Sequence, residues 1–234
     1  MATVAERQGA GDARRPSDVG HLPRLLEMLL ALTVVSGLVD AASFLALGRV
    51  FVANMTGNVV FLGFASAGAS GLSVAASLVA LLAFMAGGYL TGRFVLRSAG
   101  GPNRVVRAFA SLQLAVFVVT AAFAFAVPIA SGSAALLVLV GLLGVAMGAQ
   151  NAGARHLRVP DLSTTVLTQT VTAIAVDPAR GGSDRNATAR RFLAVAAMLA
   201  GAFAGAWLVL HVGLFAPLAA ASVLVAVVGG LSWA

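Results

Sequence analysis

The sequence predicts an all-α integral membrane protein with six transmembrane helices and two re-entrant half-helices, arranged as two inverted-topology repeats. Three observations carry that expectation. First, the 234 residues are 60% hydrophobic and only 10% charged, with a mean hydropathy of +0.98, whereas soluble chains run at about 45–50% apolar and about 25% charged. A chain this short has too little interior to hide such a surplus, so lipid is its natural solvent. Second, the apolar residues fall into runs of membrane-helix length. Third, the two halves of the chain resemble each other at a steady offset.

Residues 1–23 are polar and mixed in charge, without an apolar h-region. They read as a flexible cytoplasmic tail rather than a cleaved signal peptide. Residues 24–234 read as a single membrane domain, repeat A over 24–128 and repeat B over 129–234. Six runs approach the roughly 20 apolar residues that cross a bilayer: 25–47, 71–92, 105–127, 133–154, 190–210 and 214–232. Two more, 55–68 and 163–176, would rise only about 21 Å as helices, short of a hydrocarbon core of about 30 Å. Each follows a linker that does not read as helix, GRVFVAN before the first and HLRVPDL with Pro160 before the second.

Charge placement supports half-helices over full spans. All fifteen basic residues are Arg, set against eight acids, for a net charge of +7. If both short segments return to the side they entered from, every Arg except Arg49 falls on one face. The positive-inside rule makes that face cytoplasmic, with both termini on it. The Arg residues sit between apolar runs rather than on one solvated patch, which excludes nucleic-acid binding. The chain has no Cys, so disulfides, thiolate metal sites and thiol catalysis are excluded. His21, His156 and His211 are far apart, so no metal site is expected. No Ser/His/Asp constellation, HExxH or paired acids lie at membrane depth, so an enzyme is not expected, nor a cofactor.

The repeat is read from three matches in the same order. Gly37–Ala41 answers to Gly148–Ala152 at an offset of 111, Thr56–Asn58 to Thr168–Thr170 at 112, and Gly88–Gly92 to Gly201–Gly205 at 113. Each half is span, half-helix, span, span. Three crossings is an odd number, so the second half enters from the opposite face. Inverted repeats with broken helices are a recurrent transporter plan, with the site at the repeat interface. Unwound backbone in lipid is tolerated only where protein or a watery cavity covers it.

The segment GLVDAASFLALGRVFVANMTGNVVFLGFA, residues 37–65, and the run GAQNAGARHLRVPDLSTTVLTQTVTAIA, residues 148–175, resemble the paired signatures of the YoaK-like family, bacterial multi-pass membrane proteins carrying a domain of unknown function. The resemblance covers nearly everything from residue 25 onward. Gln169 stands where the family pattern usually has Gly. The resemblance implies a membrane fold and location, and no substrate.

The polar residues within the apolar runs are the candidate site. Asp40 is the one acid well inside a span, and a carboxylate there faces a cavity or a partner. It reads either as a coupling or coordinating group or as a fixed structural link. Asn151 holds the repeat-equivalent position, beside Gln150; Gln150 reads also as interhelical amide glue. Asn54, Thr56, Gly57 and Asn58 open the first half-helix, either facing a solute or capping free N–H groups. Thr168, with Thr164, Thr165, Gln169 and Thr170, reads the same way in the second, or as a Thr-rich packing face. Arg49 reads as a mouth residue, a partner for Asp40 or a snorkelling interfacial Arg. Gly88, Gly92, Gly201 and Gly205 read as close helix contacts, and Trp207 and Trp233 as interfacial anchors. Tyr89 and Gln113 are candidates for the interior.

The expected function is a secondary transporter or facilitator of a small polar or ionic solute in the bacterial inner membrane. The alternative is a non-transporting membrane scaffold or sensor. The expected partners are the lipid bilayer, the solute and, given the many small-residue faces, a second copy in a homodimer.

Overall fold

The computed structural model describes residues 22–95, 97, 101–130, 132–157, 167–176 and 185–232. Residues 1–21, the 158–166 linker with Pro160, Thr164 and Thr165, and Trp233 lie outside the described residues. Among those described, the chain is helical with no strand: α1 Leu22–Ala46, α2 Met55–Ser66, α3 Val74–Leu90, α4 Pro102–Ala126, α5 Ala134–Leu157, α6 Leu167–Val176, α7 Arg185–His211 and α8 Phe215–Leu231. Helix α3 continues through a π turn over Thr91–Val95.

Local chemistry sets several ends. Ser73 starts α3 by accepting from the Ala76 N–H at 3.1 Å, and the Ser133 hydroxyl does the same for Leu136 at 3.2 Å ahead of α5. Pro102 occupies the first turn of α4, where its missing N–H is no loss. Hydroxyls inside the apolar helices bond to their own backbone. Thr33 donates to the Leu29 carbonyl, Ser36 to Leu32 and Ser222 to Leu218, which removes the cost of an unpaired polar group in an apolar medium.

Five helices are long and apolar enough to cross a bilayer: α1, α3 with its π turn, α4, α5 and α7. The expected sixth span is the 17-residue α8, which falls with α2 and α6 among the shorter apolar helices. At 1.5 Å per residue it rises about 26 Å, a little under the usual core thickness.

Helices α1 and α5, the first of each half, are the most enclosed. Large apolar side chains on α3, α4 and α7 point outward, among them Met85, Phe125 and Phe203, the surface a lipid-facing helix presents. Tyr89 is 69% exposed and shares that face, whereas Gln113 is fully buried.

Helix α1 packs mainly on α7 and α8, α3 on α5, α4 on α5 and α8, α2 on α3, and α6 on α7. Exchanging the first four helices with the last four, in order, leaves these principal partners unchanged. The tightest crossings use the glycines of the repeat motif. A Cβ at Gly201 would collide with the Val34 backbone and one at Gly205 with Leu38, while one at Gly148 would collide with Phe84. Gly88 lies against the Gly148 carbonyl, but Gly92 touches nothing, and Gly87 makes the close approach on α3 instead.

The order of contacts gives the helix directions. Val34 and Leu38 meet Gly201 and Gly205, so α1 and α7 run parallel; Ala80 and Phe84 meet Gly144 and Gly148, so α3 and α5 do too. Phe125 packs edge-on against Phe215 at one end, and the Arg107 guanidinium donates to the Ser232 carbonyl at the other, so α4 and α8 are antiparallel. Phe109 lies beside Gly153 and Gln113 bonds to Gln150, so α4 and α5 are antiparallel. A short turn at residues 212–214 reverses α7 into α8. By these steps α1 runs opposite to α5.

Candidate functional site

The linker between α1 and α2 builds the site. It leaves α1 through two left-handed residues, Gly48 at φ 87° and Arg49 at φ 56°. Glycine takes that conformation freely; Arg does so at a cost of about 1–2 kcal/mol. The turn sends the chain back alongside the helix it has just left. Val50, Val52 and Ala53 are buried there, so their backbone groups need partners other than water.

Two side chains supply them. The Asp40 Oδ1 accepts from the N–H of Val52 at 2.9 Å and of Ala53 at 2.7 Å. From the other side, the Asn58 Oδ1 accepts from the Phe51 N–H at 2.8 Å, and its Nδ2 donates to the Phe51 carbonyl at 2.5 Å. Three consecutive linker amides are thereby held, one by α2 and two by α1. Asp40 lies six residues before the end of α1, so residues 52 and 53 sit about 9 Å back from that end.

Aromatic packing sets the direction of α2. Phe44, Phe51 and Phe61 form a triangular cluster, with Phe51 5.1 Å from Phe44 and 5.6 Å from Phe61 by ring centroid and Phe44 5.9 Å from Phe61. Going from Met55 to Phe61 therefore moves from the level of Asp40 toward that of Phe44, the same sense as α1. Gly57 makes room for this, since a Cβ there would stand 2.6 Å from the Phe51 ring. At the far end the Arg49 guanidinium lies against the Gly71 turn, so the linker and α2 leave and return at one end of α1.

A cavity of about 560 Å³ opens beside this clamp. On one side it is lined by Asp40, Ala53, Asn54, Thr56 and Gly57, with Val60 and Phe61 behind; on the other by Leu167 and Thr168 at the start of α6 and Met198 of α7. Five sequence-derived candidates, Asp40, Asn54, Thr56, Gly57 and Thr168, thus meet at one cavity. Asp40 is 4% exposed. Its Oδ1 is occupied by the linker, while its buried Oδ2 has no hydrogen-bond partner among the described residues. Asn54 precedes α2 without a side-chain cap bond, so the first-turn N–H groups beside Thr56 and Gly57 are not capped by it.

The other candidates lie elsewhere. Asn58 is fully buried, bonded to the linker at Phe51 and outside the cavity lining. Gln150 is a core amide: its Nε2 donates to the Ser36 hydroxyl and the Leu32 carbonyl, and its Oε1 accepts from Gln113 at 2.8 Å. That network ties α1, α4 and α5 together. Asn151 is half-buried on α5 and outside the cavity lining. Arg49 is exposed and, among the described residues, forms no ion pair with Asp40. Trp207, half-exposed, stacks on His211 at 4.9 Å. Residues that motif reading passes over are the Phe51–Phe61 wall and Met198. The run VFVA in the linker was the available signal, because so apolar a non-helical stretch belongs inside.

The clamp gives a direct expectation. Asn58→Ala leaves the part-buried Phe51 N–H and carbonyl without their side-chain partner, a cost of about 1–3 kcal/mol. It is expected to lower the thermal unfolding midpoint of the purified protein clearly, as measured by tryptophan fluorescence.

A helical membrane protein with a cavity built beside a non-helical linker is the class these features define. The chain matches the family described as "Protein of unknown function (DUF1275)" over residues 28–231, and it belongs to that family. It is 33% identical to the UPF0700 transmembrane protein YoaK of Bacillus subtilis (strain 168) over 154 residues, 64% of this chain and 65% of the relative. The chain thus spans somewhat under two thirds of that relative's length. No solved structure matches. It is a YoaK-like membrane protein.

Proposed function

We propose that the protein is a secondary transporter or facilitator of a small polar or ionic solute in the bacterial inner membrane, with the cavity at Asp40 as its solute site. The observation that carries this reading is that one cavity joins the interrupted segment of the first half to α6 and α7 of the second, with a buried carboxylate oxygen left over at its wall. An intramembrane acid marks a pathway or a coupling site by default.

The architecture goes with it: six crossings and two half-helices in inverted repeats, both termini cytoplasmic. It is supported by the unchanged partner set on exchanging halves, by α1 running opposite to α5, and by the return of α2 to the end of α1 it started from. In transporters of this plan the site lies where the repeats meet.

The test is uptake into proteoliposomes across a panel of small solutes. Wild type is expected to accumulate or equilibrate at least one of them, and Asp40→Asn to abolish that uptake while inserting and folding normally. Unchanged uptake in the variant would remove Asp40 from the mechanism.

One observation favours the second reading, a non-transporting scaffold or sensor: the Asp40 Oδ1 is engaged with the linker amides. On that reading no solute crosses, and Asp40→Asn changes stability alone.

A further inference from the structure

We infer that the cavity recognises a small zwitterion with an apolar body, an α-amino acid in chemical class, binding the ammonium at Asp40 and the carboxylate at the first turns of α2 and α6. The inference rests on the solute-site reading above and deepens it. Three features of the wall point the same way.

The first is the Asp40 Oδ2, an acceptor on a 96%-buried side chain with no hydrogen-bond partner among the described residues. The Oδ1 already takes two N–H donors, so what remains is one oxygen, enough for an ammonium donor. The second is that two helices begin at this cavity. Thr56 and Gly57 are in the first turn of the 12-residue α2, and Leu167 and Thr168 open the 10-residue α6. Helix starts carry partial positive charge and unpaired N–H groups, and they bind carboxylates. The hydroxyls of Thr56 and Thr168 add donors. The third is the remainder of the lining, Val60, Phe61 and Met198, which suits an aliphatic side chain.

The two charged ends discriminate among solute classes. Among the described residues, no Arg, Lys or His lines the cavity, so there a simple anion meets the Asp40 carboxylate with no cation beside it to offset the charge. A simple cation meets two positive helix starts. A molecule carrying both charges satisfies both. A volume of about 560 Å³ lies within the usual range of small-molecule sites, about 300–1,000 Å³.

The experiment uses the purified full chain in detergent and three matched probes: L-leucine, its deaminated form 4-methylpentanoate and its decarboxylated form 3-methylbutylamine. Equilibrium binding is expected for L-leucine, with each truncated probe at least about tenfold weaker, the loss of one charge-assisted contact. Asp40→Asn keeps an oxygen for the linker amides and is expected to erase the preference for L-leucine over 4-methylpentanoate. Thr56→Asp, a favourable residue near a helix start, is expected to occupy the α2 turn and shift preference to 3-methylbutylamine. Equal binding of L-leucine and the amine would overturn the role of the helix starts, and equal binding of L-leucine and the acid would overturn that of Asp40. Binding of none of the three would overturn the assignment altogether. Leucine binding without uptake would contradict transport and support the zwitterion site; uptake of another solute without leucine binding would do the reverse.

Discussion

Asp40→Leu is expected to cost about 2–6 kcal/mol of stability, and Asp40→Asn little. The leucine side chain removes the acceptor shared by the Val52 and Ala53 amides and strands two buried N–H groups at about 1–3 kcal/mol each. Asparagine presents a carbonyl oxygen at the same position and keeps both bonds. The measured quantity is the unfolding midpoint in detergent, together with the yield of monodisperse protein. The contrast separates the two duties of one carboxylate: Oδ1 as the anchor of the linker, Oδ2 as the group at the cavity wall. If both variants were equally stable, the linker would not depend on Asp40, and the geometry of the cavity would need another cause.

Gly148→Ala and Gly201→Ala are the second large pair. At each, the new methyl would overlap the backbone of a neighbouring helix, Phe84 of α3 in one case and Val34 of α1 in the other. Backbone cannot swing aside like a long side chain, so the helices must separate along the whole crossing. A loss of about 3 kcal/mol is expected, at the upper end of ordinary overpacking. Gly92→Ala is the matched control: nothing stands within 4 Å of its Cβ position, and surface changes of this kind stay within about 0.5 kcal/mol. In lipid, apolar burial gives little drive for helices to associate, so close approach at small residues matters more than it does in water. A result in which Gly92→Ala is as harmful as Gly148→Ala would contradict the crossings described.

Helix positions were legible in the sequence because hydropathy reports them locally. The run 105–127 becomes Pro102–Ala126 and 55–68 becomes Met55–Ser66, the proline in the first turn and the polar NMTGN stretch marking the starts. The run 71–92 shifts to Val74–Val95, because the Ser73 cap delays the start and the π turn prolongs the end. Asp40 stood out because an acid in an apolar run is costly wherever it points. The partners of the polar residues were a different matter. Asn58 bonds to the backbone of residue 51, which requires the linker to double back, and no local pattern encodes that. Gln150 finds Gln113 on another helix, 37 residues away, so its place in the core follows from packing. Tyr89 and Gln113 looked alike in sequence and face opposite ways, since the same helix period serves either side until a neighbour is placed.

The most direct test of a solute site between two halves exploits the absence of cysteine from the chain. A single thiol introduced by Thr168→Cys, on the second-half wall of the cavity, is reacted with a membrane-impermeant maleimide in proteoliposomes from outside and, separately, from the enclosed face. The account predicts modification from both faces, slowed by a solute that binds the cavity. A thiol reachable from one face alone, or from neither, would contradict it.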